Sequence, residues 1–147
     1  MISLEEIYLP MRLKAVVFDL DGTLIDSKIE YERMTGMIRP ILRQAGVPEE
    51  HLSERRKIYQ IVRGGDKALE EMGVPSTEWR RVAKEMERIM NQIELEGVVH
   101  SKPMKNAKET LMKLKERGLG IGIATRGCRE YAAESMKLTG LDSYVNY

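Results

Sequence analysis

Two aspartates two residues apart, Asp19 and Asp21, close an apolar run, Leu13-Lys14-Ala15-Val16-Val17-Phe18, and Gly22 and Thr23 follow at once. Carboxylates at this spacing project to the same side of a chain that stays extended. Two such groups repel unless a proton or a cation intervenes. Their hard oxygens suit Mg²⁺, which keeps some of its waters and often bridges to a phosphate. A carboxylate facing a phosphoryl group held in that way can act as a nucleophile and become an aspartyl-phosphate. Its neighbour can protonate the leaving oxygen and then take a proton from the attacking water. Gly22 allows a sharp turn and close approach of backbone amides to a bound anion, so Gly22 joins the phosphate-binding set.

The element that must position these groups is the apolar run itself. Its adjacent valines and lack of alternation read as a strand buried on both faces, as in a parallel sheet. In open α/β sheets ligands bind beyond the carboxyl ends of the strands, which is where Asp19 and Asp21 fall. A second such strand is expected at Leu119-Gly120-Ile121-Gly122-Ile123-Ala124, ending at Thr125-Arg126-Gly127. The Thr125 hydroxyl can hold a phosphoryl oxygen. Arg126 is read either as an aid to phosphate binding or as a solvated side chain.

Between the two strands the pattern is helical. Ser27 is a plausible N-cap, and Gly46 with Pro48 a plausible stop. A second helix is expected from near Ser53 to a break at Gly64-Gly65, and a short one from Asp66 to Met72. Ser76 is expected to cap a long helix whose inner face carries Trp79, Val82, Ala83, Met86, Ile89, Met90 and Ile93. Further helices are expected at 106–117 and 129–138, and 143–147 reads as the approach to a third strand. Ser3 to Glu6 has capping-box spacing for a short helix limited by Pro10. The order is strand, helical insert, helix, strand, helix, incipient strand, the rhythm of an α/β parallel sheet flanked by helices.

The 147 residues carry 24 basic and 23 acidic side chains, a net charge of +1, so neither a nucleic-acid footprint nor an acidic tail is present. No apolar run is long enough to span a bilayer. The single cysteine, Cys128, cannot form an internal disulfide and fits a reducing cytosol, so the expected location is cytoplasmic. With no His near it in sequence, Cys128 reads as an unreactive thiol, and His51 and His100 are too isolated for a zinc site.

The segment Asp19-Leu20-Asp21-Gly22-Thr23-Leu24-Ile25-Asp26-Ser27 resembles the first signature of the haloacid dehalogenase-like phosphatases. That resemblance implies a Rossmann-like core. It implies Asp19 as nucleophile and Mg²⁺ ligand, and Asp21 as general acid and base with its backbone carbonyl also on the metal. It implies Thr125 as the second signature, with Arg126 standing where many relatives have Asn. The insert resembles the helical cap of the phosphoglycolate phosphatase and β-phosphoglucomutase subgroup. The expected organisation is a core of residues 1–26 and 103–147 with a cap of residues 27–102. Within the cap, Val62-Arg63-Gly64-Gly65-Asp66-Lys67-Ala68-Leu69 resembles a substrate-facing loop, with Arg63 and Lys67 reaching an anionic substrate; the competing reading is a surface turn.

The resemblance also implies a later Lys and a later acidic pair, and neither has a match here. The expected core is therefore incomplete, with two to three strands and an open edge that invites self-association. A fragment or shortened form is favoured over a natural stable short form. The expected activity is Mg²⁺-dependent hydrolysis of a small phosphomonoester, impaired in this chain. The alternatives are a non-catalytic binding or self-assembly module, or a phosphomutase relative.

Overall fold

The computed structural model describes residues 13–53 and 56–146. The expected helix near Ser3 and the last residue of the expected third strand, Tyr147, lie outside them. By its contacts the chain divides into two compact units. The first holds the described residues up to Ser27, then Ser101–Arg126, then the chain from Ala132 onward; the second holds Lys28–His100 and Gly127–Tyr131.

The first unit is built on two parallel strands, β1 (Ala15–Phe18) and β4 (Gly120–Ile123), in the register Ala15↔Gly120 to Phe18↔Ile123. The apolar β-branched run makes β1. Helix α4 (Ala107–Glu116) lies against β4, and Ala107, Leu111 and Ile121 are buried. Gly118, at φ +73°, ends that helix. The Leu119 N–H then closes onto the Leu114 carbonyl at 3.1 Å, and the chain turns straight into β4. Helix α5 (Arg129–Leu138) follows. A second, two-residue ribbon pairs β2 (Ile25–Asp26) antiparallel with β3 (Lys102–Pro103). Nothing in the pattern anticipated this clasp, which joins the residues just before and just after the insert.

Two expectations for the sheet change. β1 is not buried on both faces: Leu13 is 66% exposed and Val17 65%. Val17 lies opposite Gly122 and Ala15 opposite Gly120, so on that face β4 brings no side chains to flank them. The expected third strand is a 3-10 turn, Asp142–Tyr144, followed by an extended Val145. Only Asn146 pairs like a strand residue: its N–H donates to the Ile121 carbonyl at 2.8 Å, and its Oδ1 accepts the Ile121 N–H at 3.0 Å.

The second unit contains α1 (Tyr31–Gln44), α2 (Ile58–Glu71) and α3 (Ser76–Gly97). Their inner faces bury Met34, Ile38, Leu42, Ile61, Leu69, Val82, Met86, Ile89 and Ile93, the 3.6-residue stripe that the sequence shows. The expected caps move: α1 starts at Tyr31 after Glu30, not at Ser27, and Pro75 precedes α3, so Ser76 is its first residue. Pro75 sets the chain's entry into α3 through its fixed φ and makes no side-chain cap bond.

Gly64-Gly65 is not a break. Both residues lie inside α2, which runs unbroken through the region read as two helices. A Cβ on Gly65 would stand 2.8 Å from Leu42 Cδ2. The glycine lets α2 approach α1 closely, and that packing outweighs the roughly 1 kcal/mol that glycine costs a helix. Among the described residues no helix is long and apolar enough to cross a membrane.

Candidate active site at the carboxyl ends of two parallel strands

β1 delivers Asp19, and β4 delivers Ala124 and Thr125, to the same end of the sheet. The Ala124 N–H donates to the carbonyl of Phe18, the last residue of β1, at 2.8 Å, carrying the parallel ladder one residue past the end of β4. Neighbouring strands lie about 4.8 Å apart, so the backbones bearing Asp19 and Thr125 are held side by side. Asp19 is exposed, while Asp21 and Thr125 are half-buried.

Between the two aspartates Leu20 is fully buried. Its carbonyl accepts the N–H groups of Thr23, Leu24 and Ile25 at 3.3, 2.9 and 3.1 Å. Gly22 adopts φ +76°, which only glycine takes without strain, and its N–H donates to the Ile25 carbonyl at 2.8 Å. The turn is thus anchored by Leu20, Leu24 and Ile25, all nearly inaccessible. The Gly22 amide itself is committed inside the turn.

Arg126 is exposed at the turn after β4. Arg63 and Lys67 lie in the second unit, on helix α2 and not on a loop. Four residues apart, they share one face of that helix, both exposed, and Lys67 pairs with Glu71 at 3.4 Å. Cys128 Sγ accepts the Tyr131 N–H at 3.4 Å. Burial, reinforced by the nearby Glu94 carboxylate, holds its thiol above the usual range, which suits an unreactive thiol.

One buried polar side chain was missed by reading the sequence. Glu94, on α3, is buried, and its Oε2 accepts the Cys128 N–H at 2.8 Å. The signal was available: Glu94 falls four residues after Met90 and beside Ile93, on the buried stripe, where a carboxylate is rare unless it is partnered.

A strand ending in Asp-x-Asp-Gly-Thr, set in parallel register beside a strand ending in Thr125, is accompanied by a match to the sequence pattern of the haloacid dehalogenase-like hydrolases over residues 16–147. The chain belongs to that family. Among curated relatives, it is 27% identical over 131 residues to N-acetylmuramic acid 6-phosphate phosphatase of Pseudomonas aeruginosa, covering 88% of this chain and 55% of that protein. It is 26% identical over 135 residues to phosphoglycolate phosphatase of Aquifex aeolicus, covering 91% and 59%. A crystal structure from Haemophilus somnus, described as a predicted phosphoglycolate phosphatase, matches at 20% identity and a TM-score of 0.50, over 91% of this chain and 60% of that one. This last likeness supports the fold of a haloacid dehalogenase-like core. The chain spans little more than half the length of the curated relatives it matches.

Among the described residues no cluster of three or more His, Cys, Asp or Glu side chains could enclose a metal ion. The haloacid dehalogenase-like site nevertheless suits Mg²⁺ in its donor chemistry. This ion binds through one or two carboxylates together with water and substrate phosphate; Asp19 offers a carboxylate and Asp21 its backbone carbonyl oxygen.

Proposed function

We propose that this chain carries the phosphoryl-transfer half of a Mg²⁺-dependent phosphomonoester hydrolase acting on a small phosphorylated metabolite. The observation that carries this reading is the Ala124 to Phe18 hydrogen bond, which aligns the Asp19 loop with the Thr125 turn. Both named relatives are phosphatases of small phosphorylated compounds, a sugar acid and a two-carbon acid, which supports that substrate class.

In this reading the Asp19 carboxylate attacks phosphorus while the ester P–O bond breaks. Asp21 donates a proton to the departing alcohol. Water then attacks the aspartyl-phosphate, Asp21 takes its proton, and the bond to Asp19 breaks to release inorganic phosphate. The Thr125 hydroxyl donates to a phosphoryl oxygen throughout, and Arg126 offers a cation at the same turn. When bound, Mg²⁺ held by Asp19 and Asp21 supplies positive charge against the phosphate oxygens. Arg63 and Lys67 offer two cations on one helix face for an anionic substrate.

With one carboxylate and one backbone carbonyl assigned to the metal, this chain by itself turns over slowly; one missing charge-stabilising group commonly costs a factor of about 10²–10³. A binding module without turnover is the competing reading, and one experiment separates the two. The purified chain is melted with Mg²⁺ and beryllium fluoride, a phosphoryl mimic, and assayed with p-nitrophenyl phosphate. Protection and slow Mg²⁺-dependent turnover, both lost in Asp19→Asn, are expected. Protection that persists unchanged in Asp19→Asn overturns the proposal, and protection without any turnover favours the binding module.

A further inference from the structure

The two outer edges of the parallel sheet are finished differently. On β4 the edge is closed at Ile121, whose N–H and carbonyl are both taken by Asn146, at 3.0 and 2.8 Å. On β1 it is open. The Gly120 N–H bonds the Lys14 carbonyl and the Ala124 N–H bonds the Phe18 carbonyl. Lys14, Val16 and Phe18 therefore turn their backbone groups toward β4, and Leu13, Ala15 and Val17 turn theirs away. Among the described residues nothing pairs with these outward groups. The side chains of the same three residues share one face, and Leu13 and Val17 are each about two-thirds exposed there. Proteins commonly blunt such an edge with a charge, a proline or a bulge; positions 13, 15 and 17 carry Leu, Ala and Val.

We infer that the outer edge of β1 docks β1 of a second copy of this chain, in an antiparallel, two-fold pairing centred on Ala15. The occupant follows from the pattern, because this edge complements itself and an isologous contact needs no other surface. Centring the pairing on Lys14 would set like charges opposite each other, which is destabilising. Centring it on Val16 would set Leu13 against Asp19. Centred on Ala15, Leu13 meets Val17 of the second copy, Ala15 meets Ala15, and Val17 meets Leu13. Every one of these pairs is apolar and exchanges two backbone hydrogen bonds. The two-stranded layer becomes four-stranded, which meets the general need for three or more strands. The contact is short, so the dimer is weak and falls apart on dilution, and unfolding at low concentration reads the monomer. The pairing stops two residues before Asp19 and does not rest on the phosphoryl-transfer reading.

Sedimentation of the full chain from micromolar to millimolar concentration should show monomers giving way to dimers. Val17→Lys puts a charge on the apolar face, and the two-fold axis repeats it, so the dissociation constant should rise by about tenfold or more. Ala15→Pro removes the N–H at the centre of the pairing. That N–H points away from β4, so the β1–β4 ladder keeps its bonds, and association should be lost with little change in melting point. If Ala15→Pro does not fold, Val17→Lys decides in its place. Oxidative crosslinking reads the register, with the parent chain and its Cys128 as control. Ala15→Cys brings two Cα atoms to about 5.5 Å, within disulfide reach, and should crosslink. Leu13→Cys leaves them roughly 13 Å apart along the strands and should not. A chain that stays monomeric at millimolar concentration overturns the inference. So does association that these edge variants leave unchanged, growth beyond a dimer, or crosslinking of Leu13→Cys as fast as of Ala15→Cys. Turnover and its loss in Asp19→Asn bear on the phosphoryl-transfer reading alone, so the two can fail separately.

Discussion

The inserted helices and the strand layer solve opposite problems. In the second unit, Ile38, Leu42 and Ile61 are wholly inaccessible, and nine apolar side chains from three helices close on one another. In the first unit, β1 leaves Leu13 and Val17 about two-thirds exposed, and its only strand partner among the described residues is β4. The residues with chemical potential sit in the less enclosed unit, on a turn held by buried Leu20, Leu24 and Ile25. Enclosure and chemistry are therefore placed in different parts of the chain. The bundle supplies cooperative packing, and the sheet end supplies two aligned turns.

That division predicts that catalysis and stability can be broken separately. Asp21→Asn removes a proton donor and leaves the turn's backbone bonds intact. Mg²⁺-dependent turnover of an aryl phosphate should fall by about 10²–10⁴, while the melting midpoint moves by no more than a surface change does, within about 0.5 kcal/mol. A large loss of stability in this variant would show that the aspartate is structural.

The opposite pattern belongs to the bundle. Leu42→Ala should cost about 2–5 kcal/mol in urea unfolding, the usual range for truncating a fully buried leucine. Val17→Ala, at an exposed position, should cost within about 0.5 kcal/mol. Similar costs at the two sites would mean that the β1 face is covered in solution. Sedimentation at rising concentration would show whether a second copy covers it.

A finer cut lies inside α2. Gly65→Ala places a Cβ 2.8 Å from a Leu42 side chain that has nowhere to go. About 1–3 kcal/mol of overpacking should exceed the roughly 1 kcal/mol gained in helix propensity, and the midpoint should fall. Gly64→Ala meets His51 Nδ1 at 3.3 Å. That side chain is only half-buried and can give way, so this variant should be neutral or slightly stabilising. If Gly65→Ala proves as benign as Gly64→Ala, close packing is not why a glycine stands inside the helix.

These same glycines mark where the sequence was legible. The strand before Asp19 and the helices Ser76–Gly97, Ala107–Glu116 and Arg129–Leu138 follow from patterns local to a dozen residues, and the parallel pairing of β1 with β4 from the alternation of strands and helices along the chain. Gly64-Gly65 read as punctuation because a glycine's local preference says break. Its reason, the approach of Leu42 from another helix, is written more than twenty residues away. The exposure of Val17 was hidden for the same cause: an apolar run reports what a strand can bury and is silent about which neighbours arrive to cover it. Among the candidate site residues, Asp19, Asp21 and Thr125 stand out in the sequence by type and spacing. The buried Glu94 does not stand out, because a carboxylate in a helix is ordinary until its burial and its Cys128 partner are seen together.

The smallest expected effect concerns a second carboxyl in the bundle. Asp66 Oδ1 is buried and has no hydrogen-bond partner among the described residues. Burial holds the Asp66 carboxyl above its ordinary range. A raised value in the folded chain means that the folded state keeps the proton longer than the unfolded state, whose aspartate titrates near ~3.9. Stability tied to this group is then fully present below that pH and is lost as pH rises through the folded value. Asp66→Asn cannot ionise, so it should melt like the parent in acid and above it at neutral pH. Water reaches the rest of this half-buried carboxyl, which keeps the gain under about 1 kcal/mol. Paired melts from pH 3.5 to 7.5 would read the divergence directly. Parallel curves would show that Asp66 finds a partner in solution, and the bundle would then enclose no unpaired carboxyl at this position.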